Sequence, residues 1–434
     1  MSSTKSKEIK NLYRVRDFCI VGDGAHASIK RQDSGVMYLT SKNFKSSGID
    51  LSTADFISES DYEEYFGSSR KALTTPLEGD VLFGIIGSLG VPHVVRKNDF
   101  FGISSSVAIL RPKQELISKY LYYFMTSSIF QGAIDAIKSG VAQSFLSLEM
   151  IRSLPIIVPE VAIQEKIAAV LSAYDDLIEN NDRRIALLEK MAEEIYREWF
   201  VRLRFPGHEQ ITFHKGIPEG WAMVQLGDVI TDIIDYRGIT PKKLNSDWQN
   251  DGIIALSALN VKTGKLIRLE DAKRVSEALF ERWMRKKLER LDILLTSEAP
   301  LGEVYILMEK TKYVLSQRLY ALRANPKKIE PIYLYYYLLC EVGQYELTSK
   351  STGSTVGGIR QTLLRKVEIL NPPASEQKKF SSIAEPILEE IQKLWNKNNL
   401  LKQTRDRLLT RLISGKLSVE DLDIQFPPSM TADP

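Results

Sequence analysis

Cysteine is nearly absent from the 434-residue chain: Cys19 and Cys340 stand far apart, and no Cys or His is spaced for zinc. That excludes a disulfide framework and a metal knuckle and fits a reducing compartment. No apolar run reaches the length of a membrane span, and the opening MSSTKSKEIK places no apolar stretch behind its lysines. Neither export nor a membrane partner is indicated, and the cytoplasm is the expected location. An excess of one charge is missing as well. Lys and Arg total 58 against 55 Asp and Glu, a net charge of +3, which excludes a histone-like tail and an acidic DNA mimic. With 44% hydrophobic and 26% charged residues, an ordinary globular chain of two or three domains is expected.

The marks of catalysis are missing too. Gly353-Ser354-Thr355-Val356-Gly357-Gly358-Ile359-Arg360 has glycines at phosphate-loop spacing, but Ile-Arg stands where Lys and Ser or Thr are required. Asn371-Pro372-Pro373-Ala374 resembles the loop with which amino-methyltransferases grip a flipped base, yet Ala374 cannot stack on one. No Gly-rich cofactor turn follows a strand upstream of it. The four histidines, His26, His93, His208 and His214, show no i, i+4 pairing of ligands, and Glu63-Glu64 and Asp175-Asp176 read as solvated surface. A binding protein without its own cofactor or metal is the expectation.

What the chain does contain is written twice. The run Gly35 to Asn43 matches Gly252 to Asn260 in spacing, and Gly79-Asp80-Val81-Leu82 is echoed by Leu291-Asp292-Ile293-Leu294. Gly87-Ser88-Leu89-Gly90 returns as Ala299-Pro300-Leu301-Gly302, Tyr120-Leu121-Tyr122-Tyr123 as Tyr333-Leu334-Tyr335-Tyr336, Gly140 as Gly353, and the Pro159 to Gln164 spacing as Pro372 to Gln377. A duplication follows, far longer in period than a solenoid repeat. The predicted fold class is α+β, with two mixed β-rich domains and two long helices packed as an antiparallel coiled coil in a pseudo-twofold repeat.

In the first helix Tyr174, Ile178, Asn181, Ile185, Leu188, Ala192, Ile195 and Trp199 follow at alternating steps of four and three. Ile387, Ile391, Leu394, Asn398, Leu401, Arg405, Leu408 and Leu412 do the same in the second. About 40 residues at 1.5 Å each give a rod of roughly 60 Å, whose apolar seam needs a partner, taken to be the other helix. Asn181, Asn398 and Arg405 interrupt the seams; they are either tolerated at partly exposed positions, or fix register, or meet another subunit. Phe205-Pro206-Gly207 and Ser414-Gly415 read as helix stops, and Pro386 as a start or kink of the second helix. The boundaries are then residues 1–159 and 205–375 for the mixed domains, 160–204 and 376–415 for the helical spacers, and 416–434 for a tail. Net charges of +2 for 1–159 and +4 for 205–375 make both mixed domains mildly basic. The helices are oppositely charged, −3 for 160–204 and +3 for 376–412, and the tail carries −3.

Polar and basic residues fall in predicted turns: Lys30-Arg31, Lys42 with Asn43, Arg237, Lys242-Lys243, Arg274, Gln317-Arg318 and Arg360-Gln361. These residue types contact phosphates and base edges. Arg282, Arg285, Lys286, Lys287 and Arg290 are also basic, offset in part by Glu281 and Glu289. Two similar domains on a stiff rod would act as a caliper on duplex DNA.

Several motifs resemble the specificity (S) subunits of type I restriction-modification systems, the HsdS family, over essentially the whole chain. They are Gly220-Trp221 before Leu226-Gly227-Asp228, Asp235-Tyr236-Arg237-Gly238 with Thr240-Pro241-Lys242, Ser297 to Gly302, the helix leaders Gln164 and Glu376-Gln377, and Glu198-Trp199-Phe200-Val201 with Phe205-Pro206-Gly207. The resemblance implies a non-catalytic subunit whose target recognition domains bind a two-part sequence on double-stranded DNA. Its helices would dock two methylation (M) subunits that transfer methyl groups to adenine N6, and ATP-driven restriction (R) subunits would join the full complex. As loop positions for DNA contact it adds His26, Ser88, Gln143, Ser144, Asn260, Ser354 and Thr355. Two departures are Val161-Ala162-Ile163-Gln164, where the family has Glu before Gln, and Pro386 in the second helix. Other readings are the recognition portion of a fused methyltransferase and restriction enzyme, which would bind S-adenosylmethionine itself, and a coiled-coil adaptor without DNA affinity.

The seam assignment rests on Ile178, Ile185, Leu188, Ile195, Trp199, Ile391, Leu394, Leu401, Leu408 and Leu412. Replacing Ile185 and Leu188 together with Asp is expected to abolish helix packing and subunit assembly at once; normal complex formation on a sizing column would refute the assignment.

Overall fold

The computed structural model describes residues 12–45, 48–67, 73–87, 89–138, 145–352 and 357–431. The chain is mixed helix and sheet and divides into two units, residues 1–181 with 397–434, and residues 182–396. The division falls inside the two long helices.

The first unit contains strands β1 (Cys19–Asp23), β2 (Val36–Leu39), β3 (Asp55–Ile57), β4 (Val81–Gly84), β5 (Pro92–Val94), β6 (Gly102–Ile103) and β7 (Val107–Pro112), followed by helix α1 (Ser118–Thr126). An antiparallel sheet has the order β1-β7-β4-β5, and a smaller sheet the order β3-β2-β6, in which β2 and β6 are parallel. The apolar runs of β4 and β7 have both faces buried. Val81, Phe83, Ala108 and Leu110 face one core with α1, while Leu82, Val107 and Ile109 face a second core under the small sheet. A period of two splits each strand between the cores.

The second unit repeats this plan with β8 (Ile230–Asp235), β9 (Ile253–Leu256), β10 (Arg274–Val275), β11 (Ile293–Ser297), β12 (Leu301–Ile306), β13 (Val314–Leu315) and β14 (Leu319–Ala324). Its sheets have the orders β8-β14-β11-β12 and β10-β9-β13, again with one parallel pair. Ile293, Leu295, Tyr320 and Leu322 face one core, and Leu294, Leu319 and Ala321 the other.

The polar fastenings recur as well. Arg111 grips the buried carboxylate of Asp80 through Nε and Nη2, both at 2.8 Å; Arg323 grips Asp292 in the same way at 2.8 and 2.7 Å. Gln131 Nε2 donates to Gly90 O and Met125 O, and Gln344 Nε2 to Gly302 O and Leu338 O. Gly35 and Gly252 precede β2 and β9 with φ of +133° and +120°, where a Cβ would lie 2.3 Å from Ile57 O and 2.4 Å from Val275 O. Neither position admits a side chain.

Helix α2 (Val161–Tyr196) runs into a π-helical turn, Arg197–Val201; helix α3 (Pro331–Leu339) corresponds to α1, and helix α4 (Ala374–Ile413) to α2. At the start of α2, Gln164 accepts from Ile117 N at 2.9 Å and donates to Pro159 O at 2.8 Å; Gln377 in α4 accepts from Glu330 N at 2.8 Å and donates to Pro372 O at 2.7 Å. The repeated Pro-to-Gln spacing is thus a device that fastens the helix to the preceding segment. Within the first unit, α2 and α4 are antiparallel, with Asp175 to Arg405 at 2.6 Å and Asn181 Nδ2 to Asn398 Oδ1 at 2.7 Å. Within the second, Arg184 meets Glu390 at 3.2 Å, and the Tyr196 and Phe380 ring centroids lie 5.6 Å apart. Ile178, Ile185, Ile391, Leu394 and Leu412 are buried; Leu188, Ile195, Trp199, Leu401 and Leu408 are half-buried.

Pro386 corrects an expectation. It neither starts nor interrupts α4, which is one helix from Ala374 to Ile413. Pro386 and Ser382, the residue whose carbonyl loses its N–H partner, are both exposed. Burial of Ile387, Leu388 and Ile391 beside it offsets the cost of about 3 kcal/mol for a proline inside a helix. Gly415, at φ +70°, ends α4 in the left-handed conformation. The tail then folds onto the first unit, where Val419 is buried and Lys166 Nζ donates to Glu420 O at 2.6 Å. No helix among the described residues is long and apolar enough to cross a membrane.

Asp292 is 1% exposed. Asp292→Asn, which leaves Arg323 beside a neutral amide, is expected to lower stability by about 3 kcal/mol in urea denaturation; an unchanged midpoint would refute a structural role for the pair.

Candidate nucleic-acid interface

Because both faces of the inner strands β4, β7, β11 and β14 are buried, the polar groups next to them lie at the strand ends. In the second unit, Asp235 pairs with Tyr320 and Thr296 with Leu319. The end of β8, the start of β14 and the end of β11 are therefore neighbours. Arg237 follows the first, Gln317 and Arg318 precede the second, and Ser297 closes the third. A bridge from Glu298 to Gly358 and the bond from Ile359 N to Ser297 O bring Arg360 and Gln361 to the same end. Lys242 and Lys243 lie on the short helix Pro241–Leu244, with Lys243 Nζ donating to Gly238 O at 2.7 Å. Residues more than a hundred positions apart in sequence thus form one basic and polar rim.

The members differ in how firmly they are held. Arg237 Nε and Nη2 donate to the two Asp235 oxygens at 2.9 Å, and its guanidinium carbon lies 4.1 Å above the Tyr320 ring. Burial works against its charge, but the Asp235 bonds outweigh this and hold its pKa above the ordinary value. Burial pushes the Tyr320 hydroxyl up to about 12, so it remains a proton donor to Ile359 O at neutral pH. Arg318 pairs with Glu298 at 3.3 Å. Lys242, Gln317 and Arg360 are exposed.

In the first unit, His26 follows β1 at the corresponding end, and its Nε2 lies 2.9 Å from Asp23 Oδ2. Both border a cleft of about 410 Å³ shared with Tyr65, Thr74 and Arg152. Lys30 and Lys42 are exposed; Arg31 pairs with Asp55 at 3.0 Å and lies 4.0 Å above the Tyr38 ring. Ser88, Gln143, Ser144, Ser354 and Thr355 lie outside the described residues.

Three candidates receive another role. Asn43 and Asn260 are buried, at 2% and 5% exposure. Their Oδ1 atoms accept from Thr40 N and Ser257 N, and their Nδ2 atoms donate to Asp50 O and Ile267 O. They hold the turns after β2 and β9, which is why both copies carry Asn there. Arg274 is half-buried and directs Nη1 to Gly252 O at 3.3 Å and Nη2 to Leu269 O at 3.5 Å, fastening backbone. Sequence reading missed Asp23, Asp235, Ser297 and Tyr320 as supports of the rim. Asp23 and Asp235 carried a signal, since both close the first strand of their sheet.

Among the described residues, no group of three or more His, Cys, Asp and Glu could hold a metal ion. The family described as the type I restriction modification DNA specificity domain matches the chain twice, over residues 11–190 and 218–403. The chain belongs to this specificity family. The two matches cover both sheets and most of α2 and α4. Among related specificity-family proteins, the type I restriction enzyme MjaIX specificity subunit of Methanocaldococcus jannaschii is 27% identical over 316 residues, 72% of each chain. The putative MjaX specificity subunit of the same organism is 23% identical over 427 residues, 95% of this chain and 93% of that one. The crystal structure of the S subunit from M. genitalium shares the fold, with a TM-score of 0.54 at 14% identity over 92% of this chain and 95% of the other.

If Lys242 and Arg360 touch phosphates, changing both to Ala should weaken binding on all duplexes and flatten the plot of log affinity against log salt by about 2. Filter binding across a salt series checks this; an unchanged slope would remove both residues from the interface.

Proposed function

We propose that the chain is the address-giving subunit of a type I restriction-modification complex and binds a bipartite duplex target, half through residues 1–159 and half through residues 205–375. Spacers 160–204 and 376–415 form an antiparallel coiled coil that docks two methylation subunits, and restriction subunits complete the assembly. Adenine N6 methylation and ATP-dependent cleavage belong to those partners, while this chain selects the site. The two halves descend from one internal duplication.

One observation carries this reading: the same sheet topology, with the same Asp–Arg and Gln fastenings, occurs in each unit, while the groups mounted at the strand ends differ. A shared scaffold with different rims suits two readers of different half-targets. The family match over both segments supports it. So does the seam along α2 and α4, whose buried asparagines pair within the first unit rather than facing outward.

Exchanging residues 1–159 for the equivalent segment of another specificity subunit, followed by mapping of N6-methyladenine in cells that also carry the methylation subunit, is expected to change one half of the methylated motif and leave the other. Alteration of both halves would overturn independent reading.

A further inference from the structure

Arg237 differs from every other basic residue on the rim because it is fixed from three strands. Nε and Nη2 reach Asp235 at the end of β8, Nη1 donates to Ser297 Oγ at the end of β11 at 3.3 Å, and the guanidinium lies over Tyr320 at the start of β14. Tyr320 is itself anchored by its hydroxyl to Ile359 O at 3.1 Å. An arginine has five N–H donors. Three are engaged among the described residues, leaving one on Nη1 and one on Nη2. Two donors on one planar fork match two acceptors lying side by side.

The surroundings decide which acceptors. The Asp235 carboxylate offsets the guanidinium charge, which weakens its pull on an anionic phosphate but leaves its donors aimed. A neutral pair of acceptors is the better match, and on duplex DNA adjacent N7 and O6 of guanine present such a pair in the major groove. Lys242 and Arg360 make no side-chain hydrogen bond or ion pair among the described residues and suit phosphates instead. We propose that Arg237 reads a guanine in the half-target bound by residues 205–375, with Asp235, Ser297 and Tyr320 as its positioning residues. This rests on the DNA-reading function above.

The first unit shows the same mount with other fittings. The ladder pair Asp23 and Ala108 occupies the place of Asp235 and Tyr320, Ile85 corresponds to Ser297, and the group on the carboxylate is the His26 imidazole. With Ala108 at the place of Tyr320 and Ile85 at the place of Ser297, the mount of His26 lacks those two fittings, and His26 presents a different donor pattern. The two half-targets should therefore differ at the base facing this position.

The test uses the full chain with its methylation subunit. The methylated motif is mapped for wild type, Arg237→Lys and Asp235→Asn, and wild type and Arg237→Lys are also measured on duplexes carrying 7-deazaguanine in the second half-target. The expected result is a guanine in that half whose preference is lost in Arg237→Lys and relaxed in Asp235→Asn, with the first half unchanged as the internal control for folding and assembly. Removing N7 should weaken wild-type binding on the order of tenfold and Arg237→Lys binding far less. A second half-target without guanine overturns the proposal. So does an unchanged motif in Arg237→Lys, whether affinity holds or falls uniformly as for a phosphate contact, and so does equal sensitivity of both proteins to 7-deazaguanine. Wild-type methylation without any split motif would instead overturn the DNA-reading function itself.

Discussion

Burial of both faces of the central sheets is the constraint on which the other features depend. Strands β4, β7, β11 and β14 present alternate side chains to two cores, so both faces of these inner strands are taken up by packing. Polar groups must leave at the strand ends, where Arg237, Arg318 and Arg360 come together in one unit and His26 joins Asp23 in the other. The Asp80–Arg111 and Asp292–Arg323 pairs belong to the same logic. Each buried carboxylate sits at the start of an inner strand, and a bidentate guanidinium from the neighbouring strand compensates its desolvation. In the second unit, bidentate Asp–Arg pairing thus occurs at opposite ends of one sheet.

The long helices face a different problem. An apolar seam holds them together without specifying register, because Ile and Leu tolerate slippage. In the first unit the polar residues supply what the seam lacks. Asn181 bonds Asn398, which also donates to Ile178 O at 3.4 Å, and Arg405 bonds Asp175, whose other oxygen accepts from the Tyr123 hydroxyl. Burial disfavours the charge on Arg405, but Asp175 and Asp406 outweigh it and raise its pKa. Shifting the helices by a turn would leave the buried Asn181 and Asn398 amides without partners, at a cost of about 1–3 kcal/mol each. Asn181, Asn398 and Arg405 thus all make bonds between the two helices within the first unit.

Much of this was legible because similar segments recur along the sequence and test one another. The matches from Gly35 and Gly252 onward, the Tyr-Leu-Tyr-Tyr repeats and the Pro-to-Gln spacings all mark turns, cores and helix starts that recur in both units. The same self-consistency misled at Asn43 and Asn260: polar residues at corresponding turns look like contacts for a ligand, but each amide closes its own turn from inside the core. Pro386 misled in the other direction, since local propensity assigns it a helix start or kink, whereas α4 continues through it and burial of the neighbouring Ile387, Leu388 and Ile391 offsets the penalty.

The sequence by itself determined the two mixed segments, the helical seams and the absence of a recognisable catalytic motif, because periodicity and repetition are properties of order along the chain. It could not rank the basic loop residues, which look alike when written in a row. Only the tertiary structure separated Arg237, locked by Asp235, Ser297 and Tyr320, from Arg274, turned onto backbone carbonyls, and from Lys242 and Arg360, left in solvent. The physical reason is that a side chain's chemistry is set by how many of its hydrogen bonds are already made, and the strands that make them meet only when the sheet folds.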